Sequence, residues 1–173
     1  QEHFTPCLQH IAQETGETAH AAGWWQGEIV VLGSARSENP IQAAEVPVGF
    51  SGMAHARASG KLLLAFAPAE VRERYLATHP LAVQTPQTIT TRTELDRELK
   101  QIRRQRYAID REEVYPGLCC LAVLFDGGTS PYVLAVSVPT TRFEKAHQKY
   151  RAVMQSIAQK FAPQIGATAN AGN

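Results

Sequence analysis

Apolar positions change their spacing along this chain, and the changes divide it into elements. Leu8, Ile11 and Ala12 recur at helical intervals between Pro6 and Gly16, which predicts a short first helix. Thr18 to Trp24 and Glu28 to Leu32 are rich in strand formers or small apolar residues, and Trp25-Gln26-Gly27 between them predicts a hairpin with one of Trp24 and Trp25 buried and the other exposed. Gly33 to Pro40 is polar and loop-like. Ile41 to Phe50 alternates weakly and carries Pro47 and Gly49, which predicts an edge strand bending before a Ser51-Gly52 turn.

From Arg57 the period becomes helical, and Pro68-Ala69-Glu70 starts a second helix that ends near His79-Pro80. Thr85 to Thr88 is a linker. Thr93 to Arg104 is amphipathic, with Leu95, Leu99 and Ile102 on one face. Tyr107 to Pro116 reads as an acidic loop that climbs through Pro116-Gly117 into the apolar run Leu118 to Phe125. That run, the turn Asp126 to Pro131 and the run Tyr132 to Val138 form the clearest hairpin, buried enough to be the centre of the sheet. A long helix follows from about Arg142 to Phe161, with Ala146, Tyr150, Val153, Ile157 and Phe161 on its inner stripe. Past Pro163 the Gly, Ala, Thr and Asn composition predicts a disordered tail. Strands arriving as hairpins between helices give an α+β sandwich with a mostly antiparallel sheet, and a GAF-like or PAS-like domain is the architectural match.

At 173 residues and 44% hydrophobic, the chain holds one ordinary core. Its net charge of +1 lacks the basic field that draws proteins to phosphate backbones, so this chain alone is not expected to hold DNA. No apolar run has bilayer length, and no charged leader precedes a hydrophobic stretch. Three cysteines, with Cys119 and Cys120 adjacent, fit neither a disulfide framework nor a metal spacing, and the expected home is a reducing cytoplasm.

The candidate chemistry lies in two segments. His55 to Phe66 is a turn with Ser59-Gly60-Lys61 that runs into an apolar helix, and amides in a first helical turn favour an anion. Gly60 would let a ligand approach the backbone, or it merely lets the helix pack tightly. This is not a phosphate-binding P-loop, because the preceding glycine and the Ser or Thr after the lysine are absent. In the second segment Asp110 reads, taken alone, as a solvated turn carboxylate. Cys120 reads as a small buried hydrophobe. Ser137 sits within a central strand, where its hydroxyl needs a partner and a neighbouring carbonyl would suffice. A metal site from His55, Asp110 and the cysteines has no ligand spacing to support it.

With these segments in view, the chain resembles the C-terminal effector-binding domain of the IclR family of bacterial transcription regulators, over Leu8 to about Phe161. The resemblance rests on Ile11-Ala12-Gln13-Glu14-Thr15-Gly16-Glu17-Thr18, Pro47-Val48-Gly49, His55 to Ala65, Thr88-Ile89-Thr90, Arg106 to Glu113, Pro116-Gly117-Leu118 with Cys120, and Phe125-Asp126. It implies a ligand-sensing domain over 1–162 with a GAF-like fold, a tail over 163–173, no catalytic activity, no cofactor and no metal. A winged helix-turn-helix before this chain would carry DNA binding in the parent protein, and assembly as a homodimer or homotetramer is implied. The family's pocket positions fall on Ala44, Gly52, Ala58, Ser59, Gly60, Asp110, Leu118, Cys120 and Ser137, and Arg57 stands beside them. Small Ala44 and Gly52 suggest room for an acid larger than two or three carbons, aromatic or longer aliphatic. The Arg57 guanidinium either clamps a carboxylate or points to solvent. The competing readings are a GAF-fold reductase using cysteine thiolates on a small molecule such as methionine sulfoxide, and an oligomerisation module with a filled core.

Overall fold

A computed structural model of the protein describes residues 3–125 and 132–171, with side chains as far as residue 163. Helix α1 (Thr5–Thr15) carries Pro6 in its first turn, where a missing N-H costs no helical bond, and ends at Gly16. The φ of 71° at Gly16 turns the chain left-handed and lets its amide donate to the Ala12 carbonyl at 2.9 Å. Strands β1 (Thr18–Trp25) and β2 (Glu28–Ala35) then pair antiparallel with a bulge between Ala21 and Ala22, as the predicted hairpin requires. Trp25 is exposed and Trp24 half-buried against Tyr75. Leu32 is not the end of β2, which continues to Ala35.

Residues 41–50 form no strand, which corrects the predicted edge. At its end the segment meets the sheet at an isolated bridge, Val30 to Ser51, where the Val31 amide donates to the Phe50 carbonyl at 2.9 Å and the Gly49 amide to the Val31 carbonyl at 2.8 Å. Pro40 and Pro47 offer no N-H to a ladder, and Gly49, Gly52 and Met53 adopt φ of 91°, 102° and 54°, which bend the chain away from the sheet. Helices α2 (Ala58–Phe66), α3 (Ala69–Thr78) and α4 (Arg92–Gln105) follow. The Thr91 side chain caps α4 by accepting from the Glu94 amide.

Tyr107 to Arg111, expected as a loop, is strand β3. Five residues alternating in burial are too few to announce themselves by periodicity, and the charges at Asp110 and Arg111 disguise them. Strands β4 (Leu118–Leu124) and β5 (Tyr132–Pro139) are the predicted hairpin strands, and their connecting turn lies outside the described residues. The sheet order is β2-β1-β5-β4-β3 with every pairing antiparallel, so β5 is central. Helix α5 (Thr140–Ala171) continues through Pro163, where the tail was predicted to begin. A proline inside a helix removes one donor and crowds one carbonyl, but it does not force the chain to stop.

The sheet is the middle of three layers. One face, with Leu121, Val123, Leu134 and Val136, packs on Leu8 and Ile11 of α1 and on Phe143, Met154 and Ile157 of α5. The opposite face carries Ala22, Ala108, Ala122 and Ala135 beneath Leu62, Leu64, Leu95, Leu99 and Ile102 of α2 and α4. Alanine there lets α2 lie close to the sheet, and Gly60 lets the helix lie close to the preceding loop. A Cβ on Gly60 would overlap the backbone of Ala54. Of the two readings of Gly60, tight packing is the one this contact supports.

Candidate functional site

Directly opposed residues in antiparallel strands point to the same face. The register aligns Asp110 with Cys120, Cys120 with Ser137 and Ser137 with Thr18, so one row across β3, β4, β5 and β1 is polar, and the next row on that face holds Ala108, Ala122 and Ala135. His20, two residues along β1, shares that face. The same geometry sends the adjacent Cys119 to the other face, into the core beneath α1 and α5.

Above this polar row lies a cavity of about 310 Å³. Its lining includes Ala44, Arg57, Ala58, Ser59, Asp110, Leu118, Cys120 and Ser137, all expected from the sequence. Gly52 and Gly60 do not line it. Gly52 makes the turn that carries Met53 into the wall, and Gly60 faces Ala54. Sequence reasoning missed His20, Glu45, Val46, Pro47, Phe50, Met53, Val114 and Tyr115. The signal that singled out Ser137, a polar side chain in a buried apolar strand, applies equally to His20 between Ala19 and Ala21. The loop residues gave no such signal, because a segment read as an edge strand was not expected to bend over the sheet.

Several polar atoms around the cavity are unsatisfied. Nδ1 and Nε2 of His20, Nη2 of Arg57 and Oγ of Ser59 are buried without a hydrogen-bond partner. Arg57 is 8% exposed, and no ion pair among the described residues includes it. Its guanidinium lies over the Phe50 ring at 5.0 Å. Burial lowers its proton affinity, while Cys120 and Asp110 act in the opposite sense. Arg57 also occupies the N-cap position of α2 without capping it, so the first amides of the helix have no intrahelical acceptor and no side-chain cap.

Asp110 is 1% exposed, which corrects its reading as a solvated carboxylate. Its Oδ1 accepts from the Glu113 amide at 2.7 Å. Burial, with help from the Glu113 carboxylate, pushes its pKa up to about 7 against the opposing pull of that amide, Lys61 and Arg57. Burial and the Arg57 charge push the His20 imidazole down to about 3, so it is neutral at physiological pH. The Cys120 thiol donates to the Ser137 hydroxyl at 3.5 Å and burial pushes it up to about 12, so it is not a thiolate nucleophile.

Lys61 does not face the cavity. It is fully buried, and Nζ donates to both carboxylate oxygens of Glu113 at 2.9 Å, to the Ile109 carbonyl at 2.7 Å and to Glu98 at 3.3 Å. Those bonds use its donors, so it clamps Glu113 and through it sets Asp110. His55 is likewise satisfied, donating from Nε2 to the Ala82 carbonyl at 2.9 Å. Among the described residues no three His, Cys, Asp or Glu side chains are grouped to hold a metal ion, and no helix is long and apolar enough to cross a membrane.

The model of the family described as bacterial transcriptional regulator IclR C-terminal matches residues 1–163. The HTH-type transcriptional regulator BhcR of Paracoccus denitrificans is 35% identical over 147 residues, which are 84% of this chain and 52% of that protein. The solved structure of IclR from Thermotoga maritima is 31% identical and superposes with a TM-score of 0.83, covering 95% of this chain and 68% of that one. An IclR homolog from Microbacterium hydrocarbonoxydans complexed with 4-hydroxybenzoate gives a TM-score of 0.82 at 23% identity, covering 96% and 68%, a likeness of fold. The chain spans about half the length of the curated relatives it matches. A family match along nearly the whole chain and a superposition on IclR itself lead to one conclusion: this chain belongs to the IclR C-terminal family of bacterial transcriptional regulators and has its GAF-like α+β fold.

Proposed function

We propose that the cavity binds a small carboxylate effector and that the domain passes its occupancy to a DNA-binding segment elsewhere in the parent protein. The observation that carries this reading is the clustering of unpartnered buried polar atoms: those of Arg57, Ser59 and His20 all belong to residues lining one cavity. A buried guanidinium without a counterion costs several kcal/mol in principle, and a carboxylate arriving opposite it would offset that cost. The uncapped start of α2 adds roughly 0.3–2 kcal/mol for an anion. Neutral His20 and partly protonated Asp110 add no competing full positive or negative charge of comparable strength. Val46, Pro47, Phe50, Met53, Val114 and Leu118 supply apolar walls.

At about 310 Å³ the cavity lies at the lower end of the range of about 300–1,000 Å³ usual for ligand pockets. One aromatic ring with its carboxylate, or an aliphatic acid of similar bulk, suits it. The structurally similar Microbacterium protein holds 4-hydroxybenzoate, which supports that size. Regulation requires the acid to favour one arrangement of a homodimer or homotetramer over another, since a ligand with equal affinity for both shifts nothing. The domain itself is not a catalyst in this reading. The thiol-reductase alternative loses its chemistry because Cys119 and Cys120 point to opposite faces and burial raises both thiols.

Isothermal titration of the chain with benzoate, 3- and 4-hydroxybenzoate and C6 to C8 aliphatic acids tests the proposal. Saturable binding of at least one acid, weakened at least tenfold by Arg57→Met, is expected. Heat signals absent for every acid, or affinity indifferent to Arg57, would defeat it.

A further inference from the structure

Arg57 and Ser59 account for the acid group, but His20 does not. It stands on β1, facing the cavity from the sheet rather than from α2, is 3% exposed, and neither of its ring nitrogens has a partner among the described residues. Its backbone neighbours across the ladders, Ala135 and Ser34, are small, and the Ser34 hydroxyl does not bond either ring nitrogen. Resting on the carboxylate reading above, we infer that His20 is a specificity-determining residue that reads a second, uncharged polar group on the effector, and that the effector class is therefore a hydroxy acid.

Chemistry favours a hydroxyl as the second group. A neutral imidazole carries one N-H donor and one lone-pair acceptor, and which nitrogen holds the proton is set by its partner. A hydroxyl both donates and accepts, so it satisfies whichever ring nitrogen faces it. An ammonium group there would meet the repulsion of Arg57. A second carboxylate would face an uncharged ring, because burial and Arg57 hold His20 well below its usual proton affinity. An acid without a polar substituent would leave the imidazole buried and unpaired, and sites built to hydrogen-bond a hydroxyl reject the analogue that lacks it for that reason.

The test compares benzoate with 3- and 4-hydroxybenzoate by isothermal titration calorimetry, on the chain as it stands and on His20→Phe and His20→Gln. On the unaltered chain the better of the two hydroxybenzoates should bind at least about tenfold tighter than benzoate. Phenylalanine keeps the flat ring without donor or acceptor, so His20→Phe should reduce that ratio to about one. Glutamine restores both functions, so His20→Gln should retain part of the preference. Equal affinity of the unaltered chain for benzoate and both hydroxybenzoates would overturn the inference and leave the carboxylate site intact, and that result does not depend on any variant folding. A hydroxyl preference that survives His20→Phe would overturn it as well. If neither benzoate nor either hydroxybenzoate binds, this inference falls, while the carboxylate reading falls only if the C6 to C8 aliphatic acids fail as well.

Discussion

Replacing Arg57 by methionine should stabilise the ligand-free domain while abolishing its response to acids. The guanidinium is 8% exposed, and its Nη2 lacks a partner. An unsatisfied buried polar group costs about 1–3 kcal/mol, more for a charged one, and stacking on Phe50 returns about 0.5–1 kcal/mol. Asp110, with a pKa of about 7, supplies only part of a negative charge at neutral pH and forms no ion pair with Arg57. Methionine keeps much of the stem volume and removes the charge. The balance favours the variant by about 1 kcal/mol, which for a chain of this size is about 2–4 °C in Tm. In the unaltered protein an acid at one hundred times its Kd adds about 2.7 kcal/mol, hence a rise of about 5–11 °C that the variant should lack. Thermal denaturation with and without 4-hydroxybenzoate reads both effects. A variant that melts several degrees lower without ligand would mean that Arg57 is already satisfied within the protein and is not waiting for an anion.

Other consequences follow from the groups around the cavity. Asp110 has a folded pKa of about 7 against an ordinary 3.8, so the native state binds the extra proton and its contribution to stability is present at low pH and lost as pH rises toward 7. Asp110→Asn should therefore be more stable than the unaltered protein at pH 8, with the margin shrinking by pH 5, in urea denaturation at the two values. Gly60→Ala should cost about 1–3 kcal/mol or more, because its Cβ meets the Ala54 backbone rather than a movable side chain, and a lowered urea midpoint at unchanged slope would show it. Lys61→Met should cost about 3–5 kcal/mol by stranding Glu113, and adding Glu113→Leu should recover a large part of that loss.

The three-layer arrangement was legible wherever a period ran long enough to show. Leu95, Leu99 and Ile102 announced α4, the pair of apolar runs ending at Val138 announced the central hairpin, and Gly16 marked the end of α1. Short or locally ambiguous pieces were not legible. Strand β3 has five residues and two of its charges read as loop, although Asp110 belongs to the ladder opposite Cys120. Residues 41–50 alternate like a strand, but backbone conformations at Gly49, Gly52 and Met53 turn them into a cavity wall, which no pattern of side chains discloses. Composition after Pro163 suggests a tail, and composition alone does not show whether a preceding helix will carry its backbone bonds onward past Pro163, as α5 does.

The site divides in the same way. The family pattern pointed to Asp110, Cys120 and Ser137, and the register explains why they meet: they occupy one row of the sheet although they come from three different strands. Lys61 illustrates the opposite case. A lysine at a helix start resembles an anion ligand, yet the fold surrounds it with Glu113, Glu98 and the Ile109 carbonyl, and Arg57 is left as the available cation. Which of two neighbouring basic residues faces a cavity depends on helix rotation and on tertiary partners, both invisible in a linear reading.

A crystal structure of the chain grown with 4-hydroxybenzoate would test the central claim most directly. The carboxylate should lie within hydrogen-bond reach of Arg57 Nη2 and Ser59 Oγ, beneath the first turn of α2, with the ring between Phe50 and Leu118. Acid found only outside the cavity, or Arg57 turned away from it toward another partner, would contradict the account.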